Sequence, residues 1–324
     1  MVDPEFTGFR PGSLDRLGTS EIEQLELQTR ALRKVDYQCG GGMCRDAVVV
    51  RVHWGHEMLR MHATDPVRQR LFVAVADLHN LAGWVCFDSG HMGAAHHHFD
   101  VALDLADQGG NDDLVANIHY RQGRVNLHYG ALDEALSHFQ RGQLAAARSG
   151  SRLAASILYV NQAWAYAKKG DEELTLKLLD RAKTEFAAAG TGPSPDWARF
   201  FTETDLVATA GTVLTELALT ANSRHTREAI PALTEAMRGY GPDMARSRSF
   251  CLIALATCHL VAGEADQGCA IGSQAVSAGE TLRSVRTKDR LRPLKQQADL
   301  RADHPASRAL SDYITTFITS PTHV

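Results

Sequence analysis

The chain has 324 residues, of which 44% are hydrophobic and 22% are charged, and its formal net charge is −4. This composition supports a folded core and excludes disordered and collagen-like classes. The slight negative charge argues against DNA binding by this chain alone, because neutralising phosphates requires a concentrated basic surface. No apolar run approaches the roughly 18 residues of a membrane span, and no signal segment opens the chain. We therefore expect a cytoplasmic protein without a membrane partner.

The N-terminal part predicts a short foreign segment followed by a helical hairpin. Residues 1–14 carry Glu5-Phe6 and are reminiscent of a tag or linker remnant. Residues 15–65 predict two helices, since the glycine triplet at 40–42 interrupts an otherwise helical pattern.

Residues 66–320 predict an array of helical hairpins, because one phrase recurs at a fixed interval. Gly90, Gly130 and Gly170 stand 40 residues apart, and each follows a small residue by seven positions, at 83, 123 and 163. A small residue lets two helices approach closely, and the glycine suits the left-handed residue that ends a helix. A fixed period in this range is typical of helical solenoids. The sequence therefore predicts an all-α fold.

The second helix of each hairpin carries one buried face. Ala95, Phe99 and Ala102 have the i, i+4, i+7 spacing of such a face. The order of small residue, glycine, alanine and aromatic residue resembles the tetratricopeptide repeat, whose usual period is 34 residues. The resemblance implies a right-handed α-solenoid of helix-turn-helix hairpins with somewhat longer helices or loops. Another kind of α-hairpin array is the alternative.

The pattern continues less regularly towards the C-terminus. Prolines and a glycine at 190–196 predict an interrupting loop. The stretches 207–220 and 226–239 predict a fourth hairpin, and 249–262 and 266–278 predict a fifth.

A basic stretch follows the fifth hairpin. Residues 283–295 contain six arginines and lysines and a single acid, Asp289. One interpretation is a contact to nucleic acid or to an acidic partner. The favoured interpretation is a solvated helix face near the end of the array.

Catalytic and metal-binding patterns are weak in this sequence. It contains no Gly-x-Ser-x-Gly, phosphate-binding loop, dinucleotide fingerprint or His-Glu-x-x-His motif. The histidines at 96–98 cannot all face one ion, because successive helical residues point about 100° apart. The pair His53 and His56 lacks an evident third ligand. Six cysteines without a Cys-x-x-Cys pair favour reduced, buried thiols. We expect no enzyme activity, no cofactor and no bound metal.

The first helices of the hairpins are expected to form the concave wall of the array and a ligand-binding groove. Aromatic, amide and guanidinium groups on that wall suit a ligand with apolar parts and peptide-like hydrogen-bonding groups. A competing interpretation is that the two tryptophans only fill gaps between helices. The predicted groove residues are Asp77, Asn80, Trp84, Asn117, Tyr120, Arg121, Arg124, His128, Asn161, Trp164 and Lys168.

A longer series of residues is similar to a known group of regulators. The series comprises Arg30-x-x-Arg33-x-x-Asp36-Tyr37, the glycines at 40–42, Leu81-Ala82-Gly83-Trp84 and Ala102-Leu103-x-Leu105-Ala106. It resembles the C-terminal, tetratricopeptide-repeat-like sensor region of actinobacterial (Streptomyces-type) helix-turn-helix transcriptional regulators of the Xre class. The resemblance covers about residues 15–300 and is strongest over 20–190.

This resemblance implies a sensor domain that binds a small-molecule or peptide effector and works as a homodimer. A bound ligand would shift the curvature or the dimer geometry of the array, and with it the spacing of two DNA-binding heads. No helix-turn-helix precedes residue 20, so DNA contact is expected only through an N-terminal module that this chain lacks. The alternative is a stand-alone tetratricopeptide-type adaptor that binds a protein partner.

Overall fold

The computed structural model describes residues 16–190, 192 and 194–320. Over these ranges the fold is all-helical, with fourteen α-helices and no strand. The predicted remnant at 1–14 lies outside the described residues. The helices are α1 (Thr19–Cys39), α2 (Arg45–Leu59), α3 (Asp65–Asp88), α4 (Met92–Gln108), α5 (Asp112–His128), α6 (Leu132–Ser149), α7 (Arg152–Lys168), α8 (Glu172–Ala189), α9 (Glu203–Thr220), α10 (Thr226–Gly239), α11 (Ala245–Val261), α12 (Ala265–Glu280), α13 (Val285–Asp299) and α14 (Pro305–Thr319).

The repeated phrase forms three hairpins, in which α3 packs on α4, α5 on α6 and α7 on α8. The small residues at 83 and 123 have the role that the sequence predicts. A Cβ atom added to Gly123 would stand 2.3 Å from the ring of Phe139, and one added to Gly83 would stand 2.7 Å from the ring of Phe99. The aromatic ring of the second helix therefore fills the space that glycine leaves open on the first.

The glycine turns recur twice as often as the 40-residue sequence repeat. A glycine with positive φ follows every helix from α3 to α8, at Gly90, Gly110, Gly130, Gly150, Gly170 and Gly190. At the turn after α5, the N–H of Ala131 donates to the carbonyl of Asn126 at 3.0 Å, which closes the end of the helix. A positive-φ glycine thus follows both the first and the second helix of each hairpin, and its period is 20 residues.

The loop between α8 and α9 is longer than the predicted one and reaches Thr202. It carries aromatic side chains back onto the array. The ring of Phe200 stacks on Tyr120 with centroids 5.9 Å apart, and the Trp197 indole N–H donates to Asp113 at 2.9 Å.

The two ends of the helical array meet. The N–H of Gly42 donates to the carbonyl of Arg283 at 3.2 Å, and the N–H of Arg283 donates to the carbonyl of Cys39 at 3.0 Å. These bonds join the turn between α1 and α2 to the turn between α12 and α13. The array is therefore closed on itself, and the first helices of the hairpins face its interior.

Helix α3 lies at the centre of the N-terminal half and packs against α1, α2 and α4. It is the one helix among the described residues with the length and composition of a membrane span, and 89% of the relevant stretch is buried within the fold. That burial is typical of the core helix of a globular domain.

Candidate functional site

A cavity of about 360 Å³ lies inside the closed array. Its walls come from α5, α7, α9, α11 and α13, together with Phe87 at the end of α3. A second cavity of about 120 Å³ adjoins it and reaches towards α1 and the loop before α9. The two cavities share Arg124, Trp164, Thr212, Phe250, Arg286 and Arg290.

Most of the predicted groove residues line these cavities. Eight of the eleven do so: Trp84, Tyr120, Arg121, Arg124, His128, Asn161, Trp164 and Lys168. They are on the first helices of the hairpins, as the count back from the turn glycines predicts. The two tryptophans also pack between helices, since Trp84 is 8% exposed and Trp164 is 7% exposed.

The other three predicted residues make internal contacts instead. Asp77 forms an ion pair with Arg33, with an Oδ1–Nη2 distance of 2.5 Å. The amide of Asn80 donates to Asn117 Oδ1 at 3.0 Å, and the amide of Asn117 donates to the carbonyl of Trp197 at 3.4 Å. These side chains hold α1, α3, α5 and the loop before α9 together.

Two guanidinium groups stack on the indole of Trp164. The Cζ atom of Arg124 is 4.4 Å from the ring centroid, and that of Arg290 is 4.9 Å from it. Arg290 also lies 4.0 Å above the centroid of Phe250. Stacking of this kind suits the flat guanidinium and leaves the N–H groups at its edge available.

Neither Arg124 nor Arg290 has a carboxylate partner among the described residues, within the 4.0 Å limit for an ion pair. Arg124 donates to the amide oxygen of Asn161 at 2.7 Å. Burial and nearby Arg286 together lower the pKa of Arg124 to about 10, although Tyr120 opposes them. Burial, Arg124 and Arg286 lower the pKa of Arg290 well below its usual range.

The acids at the cavity already have partners. Glu216 pairs with Lys168 at 3.2 Å. Asp289 contacts His128 Nε2 at 3.1 Å and Arg292 Nε at 3.2 Å. Burial lowers the pKa of His128 in spite of this contact. Among the described residues these carboxylates form no ion pair with Arg124 or Arg290, although Glu216 is near enough to raise the pKa of Arg290 somewhat.

Arg286 belongs to the cavity and also to a buried cluster behind it. Its Nε atom donates to Asp88 Oδ1 at 2.5 Å, and its Cζ atom lies 4.5 Å from the ring centroid of Trp84. Asp88 also accepts the N–H of Gly41 at 2.7 Å and contacts Arg246 at 3.3 Å. Burial raises the pKa of Asp88, but the two arginines and the Gly41 N–H lower it more, to about 2.

The favoured sequence interpretation of residues 283–295, a solvated face, is wrong for the two arginines that matter here. Arg286 is 3% exposed and Arg290 is partly buried, whereas Arg283 and Arg292 are exposed. The i, i+4 spacing of Arg286 and Arg290 puts both on one face of α13. That spacing was the available signal, but it does not reveal that the face points into a cavity.

The other candidate groups are possible metal ligands and the cysteine thiols. Among the described residues, no three His, Cys, Asp or Glu side chains are placed to hold a metal ion. All six cysteines are free thiols and five of them are buried. Burial raises the pKa of Cys44 and of Cys251 to about 12, which keeps both protonated at neutral pH.

Comparison of the sequence with protein-family models gave no match, and comparison with curated proteins gave none. The chemistry of the cavity therefore carries the functional argument. Aromatic rings, unpaired guanidinium groups and threonine hydroxyls surround a space of small-molecule size.

Proposed function

We propose that this chain is a non-enzymatic, effector-sensing domain built as a right-handed, tetratricopeptide-type α-solenoid. Its cavity binds a small molecule, and its conformation reports that binding to a DNA-binding module that is not part of this chain. The proposed context is a cytoplasmic, homodimeric transcriptional regulator of the Xre class. The observation that carries the proposal is the 360 Å³ cavity with two unpaired guanidinium groups in its wall.

The shape of the site favours a small molecule over a long peptide. The concave side of the array is covered by α13 and by Phe200, which stacks on Tyr120. An extended peptide needs an open groove in which its backbone is bound along several residues. The amides of Asn117 and Asn161, the best candidates for such contacts, are already bound to the carbonyls of Trp197 and Ile157.

A route from the cavity to the N-terminal helices supports the sensor interpretation. Arg286 lines the cavity and is bonded to Asp88, and Asp88 in turn accepts the N–H of Gly41 between α1 and α2. A ligand that binds better when Arg286 has moved would weaken the contacts that hold this turn. Only such a difference in affinity between two conformations can make a ligand act as a signal.

The test is a thermal-shift screen of small-molecule libraries and of ultrafiltered culture extracts, with light scattering to measure the oligomeric state. We expect at least one fraction to stabilise the protein, by about 2.7 kcal/mol at a ligand concentration of 100 times Kd. Arg124→Ala should lose most of that stabilisation, and Arg283→Ala, an exposed arginine outside the cavity, should keep it.

An adaptor would behave differently in the same screen. If only the fraction retained by the filter stabilises the protein, and Arg124→Ala changes nothing, the cavity is not the binding site and the adaptor function takes its place. A monomer with and without ligand would contradict the proposed dimer.

A further inference from the structure

We infer that the cavity binds an organic anion, with an apolar, ring-containing body and an oxyanion head that Arg124 and Arg290 hold. This inference rests on the proposed function and specifies the chemical class of its ligand. The shared chemistry of the head is a carboxylate, sulfonate or phosphate group.

Arg124 and Arg290 bring positive charge to the cavity wall without an ion-pair partner among the described residues. Both guanidinium groups line the larger cavity, and each has no carboxylate within 4.0 Å in the part of the chain that the structure describes. The neighbouring Arg286 is neutralised by Asp88, and Lys168 is neutralised by Glu216. Burying a cation without a counter-charge is costly, and an anionic ligand removes that cost.

The two guanidinium groups also keep hydrogen-bond donors free for a ligand. A guanidinium carries five N–H donors in one plane. Arg124 uses one donor on Asn161, and no hydrogen bond from Arg290 to a described residue occurs. Both groups lie over the ring of Trp164, within 5 Å of its centroid, and both line the same cavity. Arg124 is also near enough to lower the pKa of Arg290. Paired N–H donors of this kind match the two oxygens of an oxyanion.

The rest of the cavity lining suits a ligand with an apolar body better than a bare inorganic ion. Apolar side chains line much of the space beyond the arginines: Phe87, Leu127, Leu219, Ile253 and Pro293. A small ion would leave this surface in contact with water, whereas a ring-containing body would cover it. The lowered pKa values of Arg124 and Arg290 agree with an environment that lacks a counter-ion.

A matched pair of fluorescent probes tests this inference directly. 8-Anilino-1-naphthalenesulfonate carries an oxyanion, and N-phenyl-1-naphthylamine has the same rings without it. We expect the folded protein to bind the sulfonate about tenfold more tightly than the neutral probe, because a charge-assisted hydrogen-bonded contact is worth at least that factor. Equal affinities would overturn the inference and leave the cavity as a site for neutral ligands.

Variants assign the effect to the two arginines. Arg290→Gln and Arg124→Gln should each weaken sulfonate binding about tenfold and change binding of the neutral probe less than about twofold. Arg283→Gln, exposed and outside the cavity, should change neither. Circular dichroism and the melting temperature of each variant show whether it is folded, since the probe also binds partly unfolded chains. Unchanged sulfonate affinity in both folded cavity variants would overturn the assignment.

Competition identifies the head group. 1-Naphthoate and 1-naphthyl phosphate should each displace the bound sulfonate, and 1-naphthalenemethanol should not. The stronger of the two competitors tells a carboxylate effector from a phosphate one. If the wild-type protein binds neither probe and no compound stabilises it, the anion inference and the proposed function both fail.

Discussion

Four arginine side chains lie almost entirely inside the fold, and three of them face a carboxylate. Arg246 donates two hydrogen bonds to Asp36, at 2.7 and 2.9 Å. Buried pairs of this kind add little net stability, because desolvation opposes the attraction, but they fix geometry and are costly to break. Arg121 is the exception: it donates only to the carbonyl of Asn80, at 2.8 Å, and burial lowers its pKa. The four are Arg33, Arg121, Arg246 and Arg286.

Gly123 provides a residue-scale prediction. Gly123→Ala should destabilise the protein by about 1–3 kcal/mol, because the new methyl group would overlap the Phe139 ring in a packed core. The matched control is Gly93→Ala, at a helical site on α4 where a Cβ meets nothing within 4 Å. That control should stabilise the protein by about 0.5–1 kcal/mol through helix propensity.

Urea unfolding at neutral pH measures both free energies. If Gly123→Ala is as stable as wild type, the close approach of α5 and α6 at this point is not a determinant of the repeat.

Histidines join the helices of two successive hairpins. His79 on α3 contacts His56 on α2 at 3.0 Å and His98 on α4 at 3.1 Å. Forty residues later, His119 on α5 contacts His138 on α6 at 3.4 Å. Burial lowers the pKa of His79 to about 3, with His98, His56 and His97 contributing, and lowers the pKa of His119 to about 4.

Because these buried histidines have lowered pKa values, the free energy of unfolding should fall in mild acid. The unfolded-state pKa of histidine is about 6.5, so the unfolded chain takes up a proton before folded His79 does. The contribution of His79 is therefore complete above pH 6.5 and is lost as the pH falls towards 3. At pH 5 the loss is about 2 kcal/mol for this one residue.

The measurement is the free energy of unfolding at pH 7 and at pH 5. The drop between the two should be about 2 kcal/mol smaller in His79→Leu than in wild type, and unchanged in the exposed control His62→Gln. An identical drop in His79→Leu and wild type would mean that His79 binds a proton at pH 5 as readily in the folded as in the unfolded state.

The hairpins from α3 to α8 were predictable because their information is local. Gly83, Phe99 and Gly90 lie within one helical turn or one hairpin of the residues they contact, so their spacing in sequence is their spacing in space. The cavity was predictable only where its wall comes from the first helices of these hairpins, because the rest of the wall depends on contacts between distant parts of the chain. Arg290 stands far along the chain from Arg124, and the curvature of the whole array brings both to Trp164. That curvature is a sum over many packed helices and leaves no short motif.

At the scale of the whole molecule, the decisive feature is the junction of the turns at 40–42 and 283. Asp36, Asp88, Arg246 and Arg286 lie beside this junction and bind α1, α3, α11 and α13 to one another. An open solenoid contacts only neighbouring repeats and can fray from its ends. Here the first helices are held by the last ones.

Asp36→Asn tests the junction. This substitution keeps the shape of the side chain but removes the charge opposite Arg246. We expect the free energy of unfolding to fall by about 3–5 kcal/mol. Amide hydrogen exchange should rise first in α1 and in the glycine turn, and later in α5 to α7. Asp46→Asn, whose carboxylate is 86% exposed in its pair with Arg45, is the control and should leave the exchange rates unchanged. A uniform rise along all helices would show that the junction does not protect α1 in particular.

Closure also restricts how this protein can change its length during evolution. In an open repeat protein, a duplicated or deleted hairpin simply makes a longer or shorter spiral. Here one hairpin more or fewer would rotate and displace the turn at 40–42 relative to Arg283, and the two backbone hydrogen bonds between them could not form. Relatives that keep this junction should therefore keep the number of hairpins between its two turns. They should vary instead in the residues that line the interior.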